Sequence, residues 1–287
     1  MKKKCINCGH DQYEEYKLDF SVYMCKKCKL YSCNDAKFNS NFESTLVESS
    51  RVLALKNLRI RNYEKIILKI KNLGCKHGLE IGSSYGWFLD FAKENNIACS
   101  GVEPEKKSYD KAILKGHVVK NGFYPEVELK DKYDFIIFND VLEHIPNLDD
   151  VMTANYSNLK TDGILIINIP ISTGIFFYIA RVLYLFGIKS LFNRLWQFNF
   201  HSPHYYYFNR NNLINFAEKY NFEVIDSHRL DVVDFSNLEE RFKMNGKINF
   251  LDKVLINFSK LKINKLILNK LPSDIVCFYF KKNNSNV

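Results

Sequence analysis

Hydrophobic residues recur at helical spacing from Val52 to Leu73, and this pattern predicts an amphipathic helix that ends at Gly74. A short apolar run over residues 77–81 follows and predicts a strand. Residues 82–86 contain two glycines, and a second helical pattern begins at Trp87. The chain therefore contains a strand, a glycine loop and a helix in succession.

Six further apolar runs have the length and the β-branched or aromatic content of strands. They cover residues 98–102, 117–122, 133–140, 163–170, 222–226 and 274–281. Strands that alternate with helices along a chain are typical of an α/β sheet. We therefore expect one large α/β domain.

Two Cys-x-x-Cys pairs, Cys5/Cys8 and Cys25/Cys28, lie near the N-terminus with sixteen residues between them. Zn²⁺ binds four thiolates tetrahedrally, and each Cys-x-x-Cys turn brings two sulfurs to one ion. The spacing predicts a zinc ribbon over residues 1–40, with a hairpin between the pairs. Four thiolates leave no position for water, so we expect structural Zn²⁺. Free thiols are the alternative interpretation.

Composition and charge narrow the class of protein. With 287 residues, 46% hydrophobic and 25% charged, the chain has a globular composition, which excludes disordered and collagen-like classes. The formal charge of +9 is weak evidence for a nucleic-acid partner, because Lys, Asn and Ile are abundant throughout. The N-terminus lacks an apolar signal segment, and Arg181 and Lys189 interrupt the most apolar run. We therefore expect a cytoplasmic protein.

The glycine loop and the strand ends around it carry candidate binding residues. Gly82 allows a sharp turn at the end of the first strand, and Gly86 lets the helix N-terminus approach a ligand closely. Glu103-Pro104 ends the second strand, where an acid about 20 residues downstream hydrogen-bonds two ribose hydroxyls in nucleoside-binding sheets. Glu80 disfavours a pyrophosphate and suits a cationic ligand. A solvated strand-end acid is the alternative interpretation for Glu103.

Residues 79–86, Leu-Glu-Ile-Gly-Ser-Ser-Tyr-Gly, resemble the first motif of class I S-adenosylmethionine-dependent methyltransferases, (V/L)-(D/E)-x-G-x-G-x-G. Ser84 stands where that family usually has glycine. The resemblance covers residues 49–287 and implies a Rossmann-like three-layer α/β/α sandwich with a seven-stranded, mostly parallel sheet. It also implies S-adenosylmethionine as cofactor, with Phe123 against the adenine. The implied cofactor residues are Glu80, Gly82, Ser84, Gly86, Glu103, Pro104, Gly122, Phe123, Asn139 and Asp140.

Three residues that can transfer protons, Asp140, Glu143 and His144, follow the fourth predicted strand. This segment resembles the (D/E)-x-x-E-H sequence common there in such methyltransferases. Ligands of open α/β sheets bind at the carboxyl ends of the strands, so we expect these side chains near the acceptor. Methyl transfer to a hydroxyl needs the acceptor held in line and deprotonated, and histidine is the natural base at neutral pH. A His144 that only caps the next helix is the alternative.

The same segment also resembles the divalent-metal site of some ubiquinone-pathway and small-RNA 2′-O-methyltransferases. In those enzymes a later histidine completes the site, and this chain offers His201 and His204. Two carboxylates and two imidazoles suit Mg²⁺, Mn²⁺ or Zn²⁺, which lowers the pKa of a hydroxyl. The resemblance thus implies catalytic roles for Glu143 and His204 beside His144. A general base and a catalytic divalent metal stay open as two schemes.

Two segments outside the predicted sheet are rich in aromatic or basic residues. Residues 171–208 are predicted to form a lid on the acceptor side. Residues 241–270, with eight Lys/Arg and one Asp, are predicted to form a basic amphipathic helix facing membrane phosphates or an anionic acceptor. Ordinary helix packing is the alternative for the lid, and a solvated polar face over a core stripe is the alternative for the basic helix. The acceptor contacts expected from the lid are Trp196, His201, His204 and Tyr207.

These patterns predict a zinc ribbon over residues 1–40 and a class I methyltransferase domain over residues 41–287. By analogy with the family, the acceptor is a small molecule carrying a hydroxyl: a sugar, a sugar nucleotide or a surface-glycan intermediate. An RNA methyltransferase is one alternative, favoured by the ribbon and the positive charge but lacking an (N/D)-P-P-Y motif. A cofactor-binding module without catalysis is the other, supported only by Ser84.

Overall fold

The computed structural model describes residues 3–33, 48–197, 202–232 and 272–283, with side chains in the first helix from residue 56 onward. These residues form a five-stranded antiparallel sheet and a seven-stranded mixed sheet. The strands are β1 (Lys3–Lys4), β2 (Asp11–Lys17), β3 (Ser21–Cys25), β4 (Tyr31–Ser32), β5 (His77–Ile81), β6 (Ala98–Glu103), β7 (Val119–Asn121), β8 (Tyr133–Asn139), β9 (Leu159–Pro170), β10 (Tyr206–Tyr207), β11 (Phe222–Arg229) and β12 (Ile275–Lys282). The helices are α1 (Glu48–Asn72), α2 (Trp87–Glu94), α3 (Lys106–Leu114), α4 (Leu148–Asn158), α5 (Ile175–Leu185), α6 (Ser190–Leu195) and α7 (Arg210–Glu218).

The large sheet has the strand order β11-β12-β9-β8-β5-β6-β7. Strands β5 to β9 are parallel to one another, and β12 is antiparallel to both of its neighbours. β8 and β9 are buried on both faces, which explains why their sequences are continuously apolar instead of alternating. The expected Rossmann-like fold with a seven-stranded, mostly parallel sheet is confirmed.

Helices cover the two faces of this sheet and complete three layers. On one face Ile66 and Ile70 of α1 pack with Phe88 of α2. On the other face Val151 of α4 and Phe216 of α7 belong to the main core. Since both faces are covered, the accessible edge for a ligand lies at the carboxyl ends of the parallel strands.

The predicted N-terminal hairpin is β2 and β3, and its sheet continues into the rest of the chain. β10 pairs with β4 in the order β1-β2-β3-β4-β10, with Tyr206 opposite Ser32. Aromatic side chains fill the space between this sheet and α5–α6: Tyr16 meets Phe192 edge-on at a centroid distance of 4.9 Å. We call β1 to β4 with their connecting turns the ribbon. The ribbon therefore packs directly on residues of the predicted lid.

Several predicted boundaries shift for local reasons. The third strand begins at Val119 and not at residue 117, because the His117 N–H still bonds to the carbonyl of Ala112 as α3 ends. α1 begins at Glu48, four residues before Val52, where the predicted helical pattern starts. Residues 34–47 lie outside the described residues.

Candidate active site and metal-ligand clusters

The loop between β5 and α2 needs left-handed backbone at three positions. Gly82, Ser84 and Gly86 have φ values of 70°, 48° and 73°. A Cβ at Gly82 would lie 2.6 Å from a methyl carbon of Val141, so this position also requires glycine for space. Ser84 accepts a conformation that favours glycine at a cost of about 1 kcal/mol. The loop thus keeps its turn although the second usual glycine is absent.

Glu103, at the end of β6, ties this loop to the neighbouring strand. One carboxylate oxygen accepts a 2.7 Å hydrogen bond from the Ser84 N–H, and the other accepts a 2.9 Å bond from the Glu105 N–H. The side chain is buried, and burial raises its pKa despite these two bonds. The carboxylate is therefore fixed beside the loop, with further lone pairs for ligand hydroxyls.

The rim next to Glu103 contains the other residues expected near a nucleoside. The side-chain amide of Asn121 donates to the carbonyl oxygens of Glu103 and Pro104, at 2.8 and 3.2 Å. The Gly122 N–H donates to the carbonyl of Glu103 at 3.2 Å, and the side chain of Phe123 is about half exposed. The structure thus brings Pro104, Gly122 and Phe123 to one edge.

A polar row crosses three strands beneath this edge. The Asn139 amide donates a 2.9 Å bond to Glu80, and Asn168 on β9 is the register partner of Asn139. Each residue is at most 5% exposed, yet one oxygen of each lacks a hydrogen-bond partner among the described residues: Glu80 Oε2, Asn139 Oδ1 and Asn168 Oδ1. Burial raises the pKa of Glu80 to about 8. Buried acceptors without donors fit a ligand that carries an ammonium group.

Sequence reasoning missed two residues here. Asn168 interrupts the apolar run Ile-Leu-Ile-Ile-Asn-Ile, and that interruption was the available signal. Arg59 of α1 places its guanidinium 3.7 Å from Asp140 and 5.9 Å from the ring centroid of Trp87. No feature of the α1 pattern separates Arg59 from Arg61, so only the fold identifies it.

The second cluster is formed by Glu143, His144 and His204. Glu143 and His144 lie in a 3₁₀ turn after β8, and His204 comes from the segment before β10. Glu143 Oε1 lies 4.0 Å from Nε2 of both histidines, and the two imidazole centroids are 4.5 Å apart. The structure thus brings together the three residues predicted to be catalytic.

Burial controls the charge of this cluster. The Glu143 side chain is 1% exposed, and burial, reinforced by Asp140, raises its pKa well above the usual range. Burial lowers the pKa of His204 well below its usual range. Glu143 Oε2 and both His204 ring nitrogens have no hydrogen-bond partner among the described residues. Unpaired polar atoms in a buried site are costly, so this cluster fits a proton-sharing or metal-binding role.

His144 and Asp140 take different positions in the site. His144 Nδ1 lies 3.0 Å from the carbonyl oxygen of Pro203, so Nδ1 carries the hydrogen and Nε2 faces Glu143 as a base. Asp140 has φ 55° and turns its carboxylate to Arg59. The metal-compatible group has Glu143, His144 and His204 as members, without Asp140.

The four N-terminal cysteines also form one cluster. Cys5 Sγ lies 3.5 Å from Cys28 Sγ, and Cys8 Sγ lies 3.4 Å from Cys25 Sγ. Tetrahedral Zn²⁺ with bonds of about 2.3 Å needs sulfurs about 3.8 Å apart, close to this arrangement. All four Sγ atoms lie within 4.8 Å of one another. The cluster is compatible with a zinc ribbon.

The predicted lid is tightly packed where it is described. Trp196 is fully buried and its ring lies 5.0 Å from that of Tyr207, between α6 and the ribbon. The His204 N–H donates to the carbonyl of Trp196 at 2.9 Å. Trp196 and Tyr207 therefore contribute to the core around His204. His201 and residues 241–270 lie outside the described residues.

No helix in the described ranges is both long enough and apolar enough to cross a membrane.

Comparison with known proteins agrees with this fold. Residues 56–227 match the model of a methyltransferase domain family. No curated protein matches the chain.

Three solved structures illustrate the likeness. A possible histamine N-methyltransferase from Thermotoga maritima is 17% identical, with TM-score 0.51, over 82% of this chain and 95% of that one. A putative sarcosine dimethylglycine methyltransferase from Galdieria sulphuraria is 15% identical, with TM-score 0.53, over 87% and 94%. A complex of the Haloferax volcanii Trm112 methyltransferase activator with a putative methyltransferase gives 6% identity and TM-score 0.57 over 84% and 96%. At these identities the likeness concerns the fold.

Proposed function

We propose that the chain, which belongs to the methyltransferase domain family matched by residues 56–227, methylates a hydroxyl of a small molecule from S-adenosylmethionine. The proposed acceptor is a sugar, a sugar nucleotide or a surface-glycan intermediate. The observation that carries the proposal is the buried cluster of Glu143, His144 and His204. It lies beside the sheet edge with Glu103 and Phe123, which we call the cofactor edge.

The cofactor edge fits S-adenosylmethionine in its donor and acceptor pattern. Glu103 would accept hydrogen bonds from the ribose hydroxyls, and Phe123 would lie against the adenine. The unpaired oxygens of Glu80, Asn139 and Asn168 would face the ammonium group. When bound, the cofactor supplies a methyl group on a sulfonium.

His144 would act as the general base for the acceptor. Its Nε2 would take the hydroxyl proton while the acceptor oxygen bonds to the methyl carbon, and the carbon–sulfur bond breaks with its electrons left on sulfur. Glu143 lies 4.0 Å away, and its carboxyl group, whose pKa burial raises, would stabilise the positive charge on His144 once it is ionised. The imidazole of His204 stays neutral, because burial lowers its pKa. It closes the site beside His144 without adding a charge.

A divalent metal is the second scheme for the same three residues. One carboxylate and two imidazoles suit Mn²⁺, Fe²⁺ or Zn²⁺. A metal held there would lower the pKa of a bound hydroxyl. The unpaired Glu143 and His204 atoms support this scheme as well as the first.

Two of the similar structures are described with amine substrates, histamine and sarcosine or dimethylglycine. We nevertheless place a hydroxyl acceptor on this chain. A neutral amine already has a nucleophilic lone pair, whereas a hydroxyl needs a base or a metal, and the cluster offers both. A hydroxyl therefore makes fuller use of the buried groups.

We further propose that Cys5, Cys8, Cys25 and Cys28 bind structural Zn²⁺. The ribbon over residues 1–40 would then stabilise the methyltransferase domain over residues 41–287 through β10. All four thiolates would coordinate the ion and leave no open position, so no step of the reaction takes place there.

The test has two stages. Calorimetry should first detect S-adenosylhomocysteine binding to the purified chain. Labelled S-adenosylmethionine is then offered with matched panels of sugar nucleotides, free sugars, biogenic amines and bulk RNA. Transfer to a sugar hydroxyl supports the proposal. If the labelled methyl group is transferred only to amines or RNA, the proposed acceptor class is wrong. If S-adenosylhomocysteine does not bind at millimolar concentration, the proposed methyl transfer is wrong as well.

A further inference from the structure

Helix α5 is apolar on two sides, although the described residues cover only one of them. Phe177 is buried against the ribbon and the rest of the lid. On the other side Leu185 and Phe186 are 79% and 77% exposed. We define the α5 tip as the exposed apolar side chains Tyr178, Ile179, Leu185, Phe186 and Ile188.

These side chains form one surface and are not scattered. At 3.6 residues per turn, Tyr178, Leu185 and Phe186 fall within about one third of the helix circumference. Ile188 continues the surface in the turn that leads to α6. Clustered apolar side chains on a helix and the following turn are typical of an interaction site, whereas isolated ones are ordinary.

The segment that carries the α5 tip is positively charged. Residues 171–197 contain Arg181, Lys189 and Arg194 but neither Asp nor Glu. Lys189 is exposed and directly follows Ile188, whereas Arg181 turns to the ribbon, where its Nε donates a 2.8 Å hydrogen bond to Tyr16 Oη. Exposed apolar side chains beside a lysine complement the acyl chains and anionic headgroups of a bilayer surface.

We propose that the α5 tip docks the protein on an anionic lipid bilayer. Leu185 and Phe186 enter the boundary between headgroups and acyl chains, and Lys189 lies against lipid phosphates. The association is peripheral, since α5 has only eleven residues. None of these side chains belongs to residues 241–270, and the proposed docking does not depend on the acceptor of the methyl group.

The experiment measures flotation of the full zinc-loaded chain with vesicles of phosphatidylcholine alone or with about one third phosphatidylglycerol. Wild type should float with the anionic vesicles, and raised salt should weaken the association. The double variant Leu185→Ser/Phe186→Ser should bind at least tenfold more weakly, because it lacks the two apolar side chains that enter the bilayer. Lys189→Glu should weaken binding to anionic vesicles only.

Leu114→Ser is the matched control, because Leu114 is 86% exposed at the end of α3, far along the sequence from the tip. It should bind vesicles like wild type. In Phe186→Trp, lipids brominated on the acyl chains should quench the new tryptophan. These changes are at the surface, so thermal unfolding should remain that of wild type.

Three results overturn the proposal. The first is a wild type that floats with neither kind of vesicle. The second is equal flotation of wild type and Leu185→Ser/Phe186→Ser, which would assign binding to another segment such as residues 241–270. The third is a wild-type dimer in sedimentation that the double variant dissociates without any vesicle binding, which would make the tip a contact between copies of the chain.

Discussion

The carbonyl oxygen of Glu143 accepts a 2.7 Å hydrogen bond from the backbone N–H of Tyr205. The carbonyl of Tyr205 in turn accepts a 2.8 Å bond from the N–H of Cys33, the residue that follows β4 of the ribbon. His204 is the residue just before Tyr205, so these two backbone bonds hold it between the ribbon and the 3₁₀ turn. The ribbon is therefore part of what positions the candidate catalytic cluster.

Removing two of the proposed zinc ligands should loosen the cluster of Glu143, His144 and His204. We expect one zinc per chain in wild type and none in Cys25→Ser/Cys28→Ser, measured by metal analysis. Because zinc and folding are coupled in small ribbons, the variant should unfold at a lower temperature. Hydrogen exchange at Tyr207 should quicken, since β10 loses β4 as its partner. Exchange at Tyr205 should quicken as well, because the loosened ribbon no longer holds the Tyr205 N–H on the carbonyl of Glu143.

The matched control is Cys99→Ser, a half-buried cysteine of β6 outside the four-cysteine cluster. It should keep its zinc and the slow exchange of β10. A metal-free wild type with equal thermal stability would end the zinc proposal. A zinc-free variant with unchanged exchange at Tyr205 would remove the link between ribbon and site.

Glu103→Ala should weaken S-adenosylhomocysteine binding by about 1.5–3 kcal/mol, the range for hydrogen bonds to a charged group. Calorimetry gives the affinity. The control is Asp110→Ala, which removes an exposed acid of α3 that pairs with Lys106. Since Glu103 also holds the Ser84 N–H, thermal unfolding of both variants should be followed. Unchanged affinity in Glu103→Ala would contradict the ribose role.

Local patterns predicted most of the fold, because its elements have short-range signals. Spacing alone marked α1, the strand–loop–helix unit at β5, and the two Cys-x-x-Cys turns. The pairing of β10 with β4 had no such signal, since two tyrosines in sequence do not show which strand they join. Such contacts depend on the whole chain and appear only in the folded structure.

The candidate site likewise has residues that local sequence patterns predict and residues that only the folded chain brings together. Glu80, Gly82 and Glu103 were predicted because their chemistry is tied to strand ends. The proximity of His204 to Glu143 was implied only by family resemblance. Arg59 could not be predicted, because a helix pattern shows which face is polar and not which cation meets an acid across the sheet edge.

Cofactor affinity should depend on pH through Glu80. Burial raises the pKa of this carboxyl to about 8, so it is mostly protonated at neutral pH in the free protein. A ligand ammonium favours the ionised form, so affinity for S-adenosylhomocysteine should fall by up to about tenfold per unit as pH decreases from 7.5 to 5.5. Calorimetry across this range should show the slope, and Glu80→Gln should flatten it. A flat wild-type profile would contradict ammonium binding at Glu80.

The raised pKa of Glu80 also makes the free energy of unfolding depend on pH. The folded state holds the Glu80 proton more tightly than the unfolded state, whose pKa is near 4.5. This stabilising contribution is complete below pH 4.5 and is lost as pH rises to about 8. Urea unfolding of wild type and Glu80→Gln should therefore differ more at pH 8 than at pH 5. An equal difference in stability between the two proteins at pH 5 and pH 8 would mean that folding does not raise the pKa of Glu80.

Arg59→Met should shift the pH profile of cofactor binding to higher pH. The guanidinium of Arg59 lowers the pKa of Glu80, against the larger effect of burial. Its removal should raise that pKa further, so the affinity begins to fall at a higher pH. Arg61→Met is the control on the same helix. Identical midpoints for wild type and Arg59→Met would exclude this electrostatic contact.

The role of His144 distinguishes the two catalytic schemes. As a general base, His144 should be replaceable by Ala with a loss of about 10²–10⁴ in kcat and unchanged cofactor affinity, and brief chelation should have no effect. With a metal at the cluster, chelation should abolish activity and added Mn²⁺ should restore it. His77→Ala, at the start of β5, is the control for losing a histidine.

Mn²⁺ binding can be measured by electron paramagnetic resonance without knowing the acceptor. Because burial raises the pKa of Glu143, a metal ion must displace its proton, so Mn²⁺ affinity should rise with pH. Glu143→Gln and His204→Ala should each abolish binding, while zinc in the ribbon remains. Absent Mn²⁺ binding together with a large loss of kcat in His144→Ala leaves the general base. Full activity in His144→Ala would falsify both schemes, because orientation alone would then carry the transfer.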